Sequence, residues 1–305
     1  MIRPLRFAVF PLLLACSSDE LSPSWRIDRL RILAVAGDTV VTDGSAPTAE
    51  PRPGDTVQFR SLVVSPDPVG AVVWFACASA GSYGCDIDSA DLSALSDGSM
   101  DTLTPEEQLA LFAELQAAGL IGVEPFLPPS YTVPDDYLTS LTEAQRTEGT
   151  PIIVNLTAIP DEADVAEADL EIAFKRLPVS EALTPNHNPV ITGLRVEGID
   201  LAPGATLTVV PGYPYEIEPI LSEGSVEDYT YVNQDGNAEA RTEEPYFNWY
   251  TKHGSFFQEY SLYPNTSATW YAPAEPPAET DTLWVVVRDR RGGMGWYTLD
   301  LRYSL

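Results

Sequence analysis

From Arg31 to the C-terminus the chain alternates short apolar and aromatic runs with turn residues, a pattern of strands rather than of long helices. Thr206-Leu207-Thr208-Val209 places an apolar side chain at every second position. Near the C-terminus Tyr297, Leu299, Leu301 and Tyr303 fall on one face of a predicted strand, with Asp300 and Arg302 opposite. Leu283-Trp284-Val285-Val286-Val287 is apolar throughout, which predicts a central strand covered on both sides. Val190, Leu194 and Val196 share a predicted inward face, with Arg195 turned away. Leu170, Ile172 and Phe174 are expected on the face opposite the charges of Asp169, Glu171 and Lys175.

An internal echo organises these strands. Ile27-Asp28-Arg29-Leu30-Arg31-Ile32 is matched much later by Ile191-Thr192-Gly193-Leu194-Arg195-Val196. Each is followed by a Pro-Gly turn and an alternating run, Pro53-Gly54 into Thr56-Val57-Gln58-Phe59 and Pro203-Gly204 into Thr206 to Val209. An aromatic strand comes next in each half, Val73-Trp74-Phe75 and then Phe247-Asn248-Trp249-Tyr250. The same order of motifs twice predicts two tandem immunoglobulin-like β-sandwiches in a mainly β protein.

One interruption is helical. Thr104-Pro105-Glu106-Glu107 is a capping-box pattern, with Thr as N-cap, Pro in the first turn and Glu reaching back. Leu109, Leu111, Phe112 and Leu115 supply an apolar face, Gly119 can end the helix, and a second short helix is expected over residues 142–147. The expected organisation is a signal peptide over 1–15, a tether over 16–24, a first sandwich over 25–182 with a helical insertion at 88–148, a linker at 183–189 and a second sandwich over 190–305.

The N-terminus changes the picture from fold to address. Arg3 and Arg6 precede the apolar run from Phe7 to Ala15, which is too short to span a bilayer. Leu13-Leu14-Ala15-Cys16 resembles the lipobox of bacterial lipoproteins, although Leu14 is bulkier than usual at its position. The resemblance implies a diacylglycerol on Cys16, cleavage before it and acylation of the new amino group; Ser17 then implies the outer membrane. Each buried acyl CH₂ contributes about 0.8 kcal/mol, so two or three chains hold a protein durably. Residues 17–24 could span at most about 27 Å. The longer pattern of Leu30 to Val35, Trp74-Phe75-Ala76-Cys77, Asn186-His187-Asn188-Pro189 and Val287 to Gly293 resembles lipoproteins of myxobacteria and their relatives. Its last segment is also similar to the closing strands of cadherin-like modules. These likenesses imply a fold and an address, and no activity.

Charge narrows the partners. Asp and Glu number 45 against 17 Lys and Arg, a net charge of -28. Such a surface repels nucleic-acid phosphates and anionic lipids, which leaves the membrane (through the anchor) and an envelope protein or polysaccharide as expected partners. With Cys16 set aside, Cys77 and Cys85 remain as an expected local disulfide. Calcium is the cofactor considered, with Asp86, Asp88, Asp235 and Asp289 as candidate ligands, although neither acidic loop meets the EF-hand spacing.

Catalytic chemistry finds little support. There are two histidines, no HExxH and no GxSxG. His253-Gly254-Ser255 reads as a turn, His187 as a polar junction residue, and Arg291-Gly292-Gly293 as a turn rather than an RNA-binding tract. The leading expectation is a non-enzymatic, membrane-anchored module for binding, adhesion or scaffolding. An envelope hydrolase or carbohydrate-active accessory protein would instead need a cleft with two close carboxylates, one of strongly raised pKa. A calcium-stabilised spacer is the third reading.

Overall fold

The computed structural model describes residues 22–77, 104–161, 170–232 and 237–304. In the N-terminal half the strands are β1 (Arg31–Thr39), β2 (Thr56–Val64), β3 (Val69–Cys77), β4 (Leu120–Glu124), β5 (Ser130–Thr132), β6 (Thr150–Pro160) and β7 (Glu171–Val179). They form one sheet of order β1-β2-β5 and a second of order β4-β3-β6-β7. Val57 and Phe59 from one sheet meet Trp74, Val154, Leu156 and Leu177 from the other in a shared core. Trp74 stacks on Phe59 at 5.9 Å, and its Nε1 donates to Glu124 Oε2 at 2.9 Å, so the buried indole leaves no polar atom unpaired.

The C-terminal half contains β8 (Ile191–Val196), β9 (Ile199–Leu201), β10 (Thr206–Val209), β11 (Pro214–Leu221), β12 (Asp228–Val232), β13 (Ala238–Thr242), β14 (Tyr246–Thr251), β15 (Ser255–Phe256), β16 (Tyr260–Leu262), β17 (Ala268–Tyr271), β18 (Thr280–Arg288) and β19 (Met294–Tyr303). Its two large sheets run β10-β19-β18-β14-β16 and β15-β17-β11-β8-β9, enclosing Leu194, Ile217, Trp249, Trp270, Val285 and Leu299. Both halves divide their strands as immunoglobulin-like sandwiches do. The first, second and fifth strands of the N-terminal half share a sheet, as do β8, β11 and β17 of the other, and the aromatic third strand lies with the last two.

The two halves pack side by side. Leu33 and Ala34 of β1 and Leu62 and Val64 of β2 form a cluster with Tyr250, Trp284 and Val286, joined by Met294 and Trp296. The apolar run of β18 therefore has both faces covered, as its composition predicts: Leu283, Val285 and Val287 in the sandwich, Trp284 and Val286 against the other half. Burying each such side chain contributes about 1.5–3 kcal/mol, whereas the attraction within a buried ion pair is largely offset by the desolvation of its charges. The apolar seam thus dominates the attachment.

Both expected helices form among the described residues. In α1 (Pro105–Ala117) Thr104 N donates to Glu107 Oε2 at 2.8 Å and Glu107 N to Thr104 Oγ1 at 3.3 Å. Leu115 and Leu111 seat this helix over Val73 and Phe75, the outward residues of β3, while Phe112 stays exposed. The second helix, α2 (Glu143–Glu148), repeats the capping box with Thr142 and Gln145. The stretch expected as a helical insertion also carries β4 and β5, which pair with β3 and β2 as parts of the sandwich.

Three expectations are corrected. The second Pro-Gly turn leads into β10, which pairs parallel with β19; the strand equivalent to β2 is β11. The echo therefore matches turn chemistry at positions that are not topologically equivalent. On β8, Ile191 rather than Val190 turns inward, because a register shift opposite Ile220 and Leu221 displaces the strand's alternation. On β7 the expected faces are reversed: Phe174 is 61% exposed and Ile172 54%, while Lys175 is only 3% exposed. The seam decides that register, since the Lys175 ammonium donates to Gly292 O at 2.5 Å across it.

Trp284→Ala is expected to destabilise the chain by about 3–5 kcal/mol in urea unfolding, whereas Phe174→Ala should change it by less than about 0.5 kcal/mol.

Candidate functional site

Antiparallel β18 and β19 must be joined across the seam by a tight return, and residues 289–293 supply it. Asp289 stabilises its own turn: Oδ1 accepts from Arg291 N at 2.7 Å and from Gly293 N at 2.9 Å. Its Oδ2 accepts from Asn186 Nδ2 at 2.8 Å, tying the turn to the segment that connects the halves. Gly293 has no alternative here. A Cβ on it would lie 2.0 Å from Asp289 Oδ2 and 2.8 Å from His187 O.

From this turn Arg291 reaches three carboxylates. It lies 3.0 Å from Glu227 and 2.9 Å from Glu243, the residues flanking the β12–β13 hairpin, and 3.8 Å from Glu50 of the N-terminal half. Its guanidinium also stacks over Tyr229 at 4.5 Å. His187 Nδ1 lies 2.6 Å from the other Glu227 oxygen, and Glu50 accepts from Asn186 N at 2.9 Å and from Ser180 Oγ at 2.5 Å. Asn188 completes the tie, donating to Gly37 O and Asp38 Oδ1 and accepting from Met294 N. One cluster thereby holds the connecting segment, both sandwiches and the root of a hairpin. A lone two-stranded hairpin is marginal in water, so its root needs such a hold.

Burial shifts the charges in this cluster. It pushes the Glu243 carboxyl up to about 7, with the charge of Asp289 adding and Arg291 opposing. It raises Asp289 above the usual carboxylate range, while Asn186, the two turn N–H groups and Lys175 pull the other way. It lowers Lys175 to about 8, against the pull of Asp289. Two close carboxylates of raised pKa are the mark expected of a hydrolase, and their accessibility decides the question. Asp289 is 1% exposed and Glu243 3%, and every oxygen of the two already accepts a hydrogen bond: Glu243 takes Arg291 and Glu227 N. These bonds hold both carboxylates in the joint between the halves, and burial there is the first cause of their raised values. Asp289 does not fit a calcium ligand either, since N–H donors and Lys175 surround it where a cation would need open oxygens.

A second constellation lies at the far end of β18. Pairing of β14 with β18 sets Thr251 opposite Leu283, which brings the following turn beside Asp281. His253 Nδ1 lies 3.0 Å from Asp281 Oδ2, Tyr303 donates to the same oxygen at 3.0 Å, and Thr282 N donates to Oδ1 at 2.7 Å. Burial, then the charge of Asp281, raises the Tyr303 phenol above its ordinary value. His253 lines a cleft of about 770 Å³ with Arg26, Lys252 and Arg302. The sequence shows His253 but not Asp281, which is 28 residues away and visible only once strands pair.

Of the residues singled out in the sequence, Asp289 and His187 meet in the seam, His253 stands apart in its turn, and Cys77 ends β3. The signal segment, Cys16, Cys85, Asp86, Asp88 and Asp235 lie outside the described residues. Among the described residues no helix is long and apolar enough to cross a membrane.

No protein-family model matches this sequence, and no curated protein matches it. Two solved structures are among those that align, both with low superposition. Sidekick-1 immunoglobulin domains 1–4 align over 89% of this chain and 50% of that one, with 11% identity and a TM-score of 0.22. Escherichia coli alpha-2-macroglobulin activated by porcine elastase aligns over 93% of this chain and 23% of that one, with 13% identity and a TM-score of 0.18. This chain thus spans half the length of the first and about a quarter of the second. The immunoglobulin-like assignment rests on strand order, not on these superpositions.

Two variants test the seam's chemistry. Gly293→Ala should cost at least about 2 kcal/mol in urea unfolding by displacing the Asp289 carboxylate. The folded state binds the Glu243 proton more tightly than the unfolded chain, so Glu243's contribution to stability falls as pH rises from its ordinary 4.5 to about 7. Lys175 gives up its proton more readily when folded, so its contribution rises between about 8 and its ordinary 10.5. Stability measured against pH should lose the first slope in Glu243→Gln and the second in Lys175→Met.

Proposed function

We propose that the chain is a bacterial envelope lipoprotein, anchored in the outer membrane through Cys16, whose joined sandwiches serve as a non-enzymatic module for binding, adhesion or scaffolding. The observation that carries the binding reading is the engagement of the seam's buried carboxylates within the joint. Glu227, Glu243 and Asp289 are engaged in joining the halves and rooting the β12–β13 hairpin. That hairpin carries Tyr231 partly exposed under the Arg241 guanidinium at 3.8 Å, a flat polar-aromatic surface suited to a protein or polysaccharide partner. The anchor is supported by Leu13-Leu14-Ala15-Cys16 after a short apolar run. Export is consistent with a Cys77–Cys85 disulfide, which belongs to the same proposal.

Cell fractionation tests the anchor. Cys16→Ser should move the protein from the membrane to the soluble fraction, and full membrane retention would refute the anchor. On a non-reducing gel after thiol alkylation, the exported chain should carry no free Cys77 or Cys85.

A further inference from the structure

The cleft beside His253 is unusual for this chain. Bases are outnumbered by acids 17 to 45, and most described arginines are engaged by a carboxylate, a carbonyl or an aromatic ring. Arg26 lies within electrostatic reach of Asp28, Lys252 has no side-chain hydrogen bond or ion pair among the described residues, and Arg302 has one long contact, 3.9 Å to Glu279. These three bases and His253 line the cleft with two accessible acids, Asp28 and Asp300. Asp281 stands behind them, buried, with Tyr303, Thr282 and His253 as its partners. It fixes the imidazole through Nδ1.

The mixed lining and the net charge of -28 decide the ligand class. A free dianion approaching a body of that charge is repelled over about a Debye length, roughly 8 Å at physiological salt. A zwitterion of no net charge escapes that repulsion and satisfies both signs in the cleft. We infer that the cleft binds a phosphodiester bearing a primary ammonium, the chemistry of a phosphoethanolamine headgroup. Arg26, Lys252 and His253 hold the phosphate, and Asp28 or Asp300 holds the ammonium. Arg26 stands ten residues after Cys16, within about 35 Å of it at full extension. A membrane source for the ligand rests on the anchoring reading above; the cleft chemistry does not.

The probe is sn-glycero-3-phosphoethanolamine added to the purified full chain carrying Cys16→Ser. With two histidines in the chain, the His253 imidazole resonance can be followed against His187 as an internal control. A saturable shift of His253 with His187 unmoved is expected. Glycerol 3-phosphate and ethanolamine should each bind at least tenfold more weakly, and Arg26→Ala with Lys252→Ala should abolish the shift without altering tryptophan fluorescence. Flotation with phosphatidylcholine vesicles only when they contain phosphatidylethanolamine would identify a membrane source; binding of the soluble diester alone would identify a free one. No His253 response, or glycerol 3-phosphate binding as tightly as the diester, overturns the inference. Fractionating Cys16→Ser cells with and without the two alanine substitutions separates retention through the cleft from failure of the anchor.

Discussion

Closure of the outer face of β18 and β19 against β1 and β2 is the constraint on which the rest of the molecule depends. Trp284 and Val286 point away from their own sandwich and would face water if that half stood alone. Covering them takes the surrounding polar groups out of solvent, and buried polar groups must be paired. The dense network around Asp289 and Arg291 follows from that requirement. Apolar burial supplies the attraction between the halves. The network sets their register, because leaving any one buried charge unpaired costs about 3–5 kcal/mol.

This division of labour bears on function. Raised carboxyl pKa values often point to catalysis, but here they occur on groups buried and hydrogen-bonded within a joint. The seam is a joint that fixes the relative position of two sandwiches and a hairpin. A second accessible cleft lies at the opposite end of β18, where Arg26, Lys252, Arg302, a held imidazole and two acids come together. Joint and cleft occupy the two ends of one strand, so a rigid body would carry both.

Much of the scaffold was legible in the residues. The unbroken apolar run of β18 signalled a strand covered twice, and the Thr104 capping box marked the first described helix. Arg291-Gly292-Gly293 read correctly as a turn. What stayed hidden depends on distant partners. Lys175 is buried because its acceptor lies 117 residues away, and no local alternation can show that. Asp281 looks like any of 45 acids until strand pairing sets it beside His253. The two Pro-Gly turns look alike because turn chemistry is local, while the sheet each following strand joins is decided by the whole sandwich. The candidate site was therefore less legible than the fold: Asp289 and His187 stood out in the sequence, but their partners Asn186, Glu227 and Glu243 did not stand out as a cluster.

Scanning calorimetry of the full chain tests the central claim most directly. If the seam makes the sandwiches one cooperative unit, heating should give a single transition whose calorimetric and van't Hoff enthalpies agree. Two resolved transitions, each with the enthalpy of one sandwich, would show that the halves melt independently and would contradict this account.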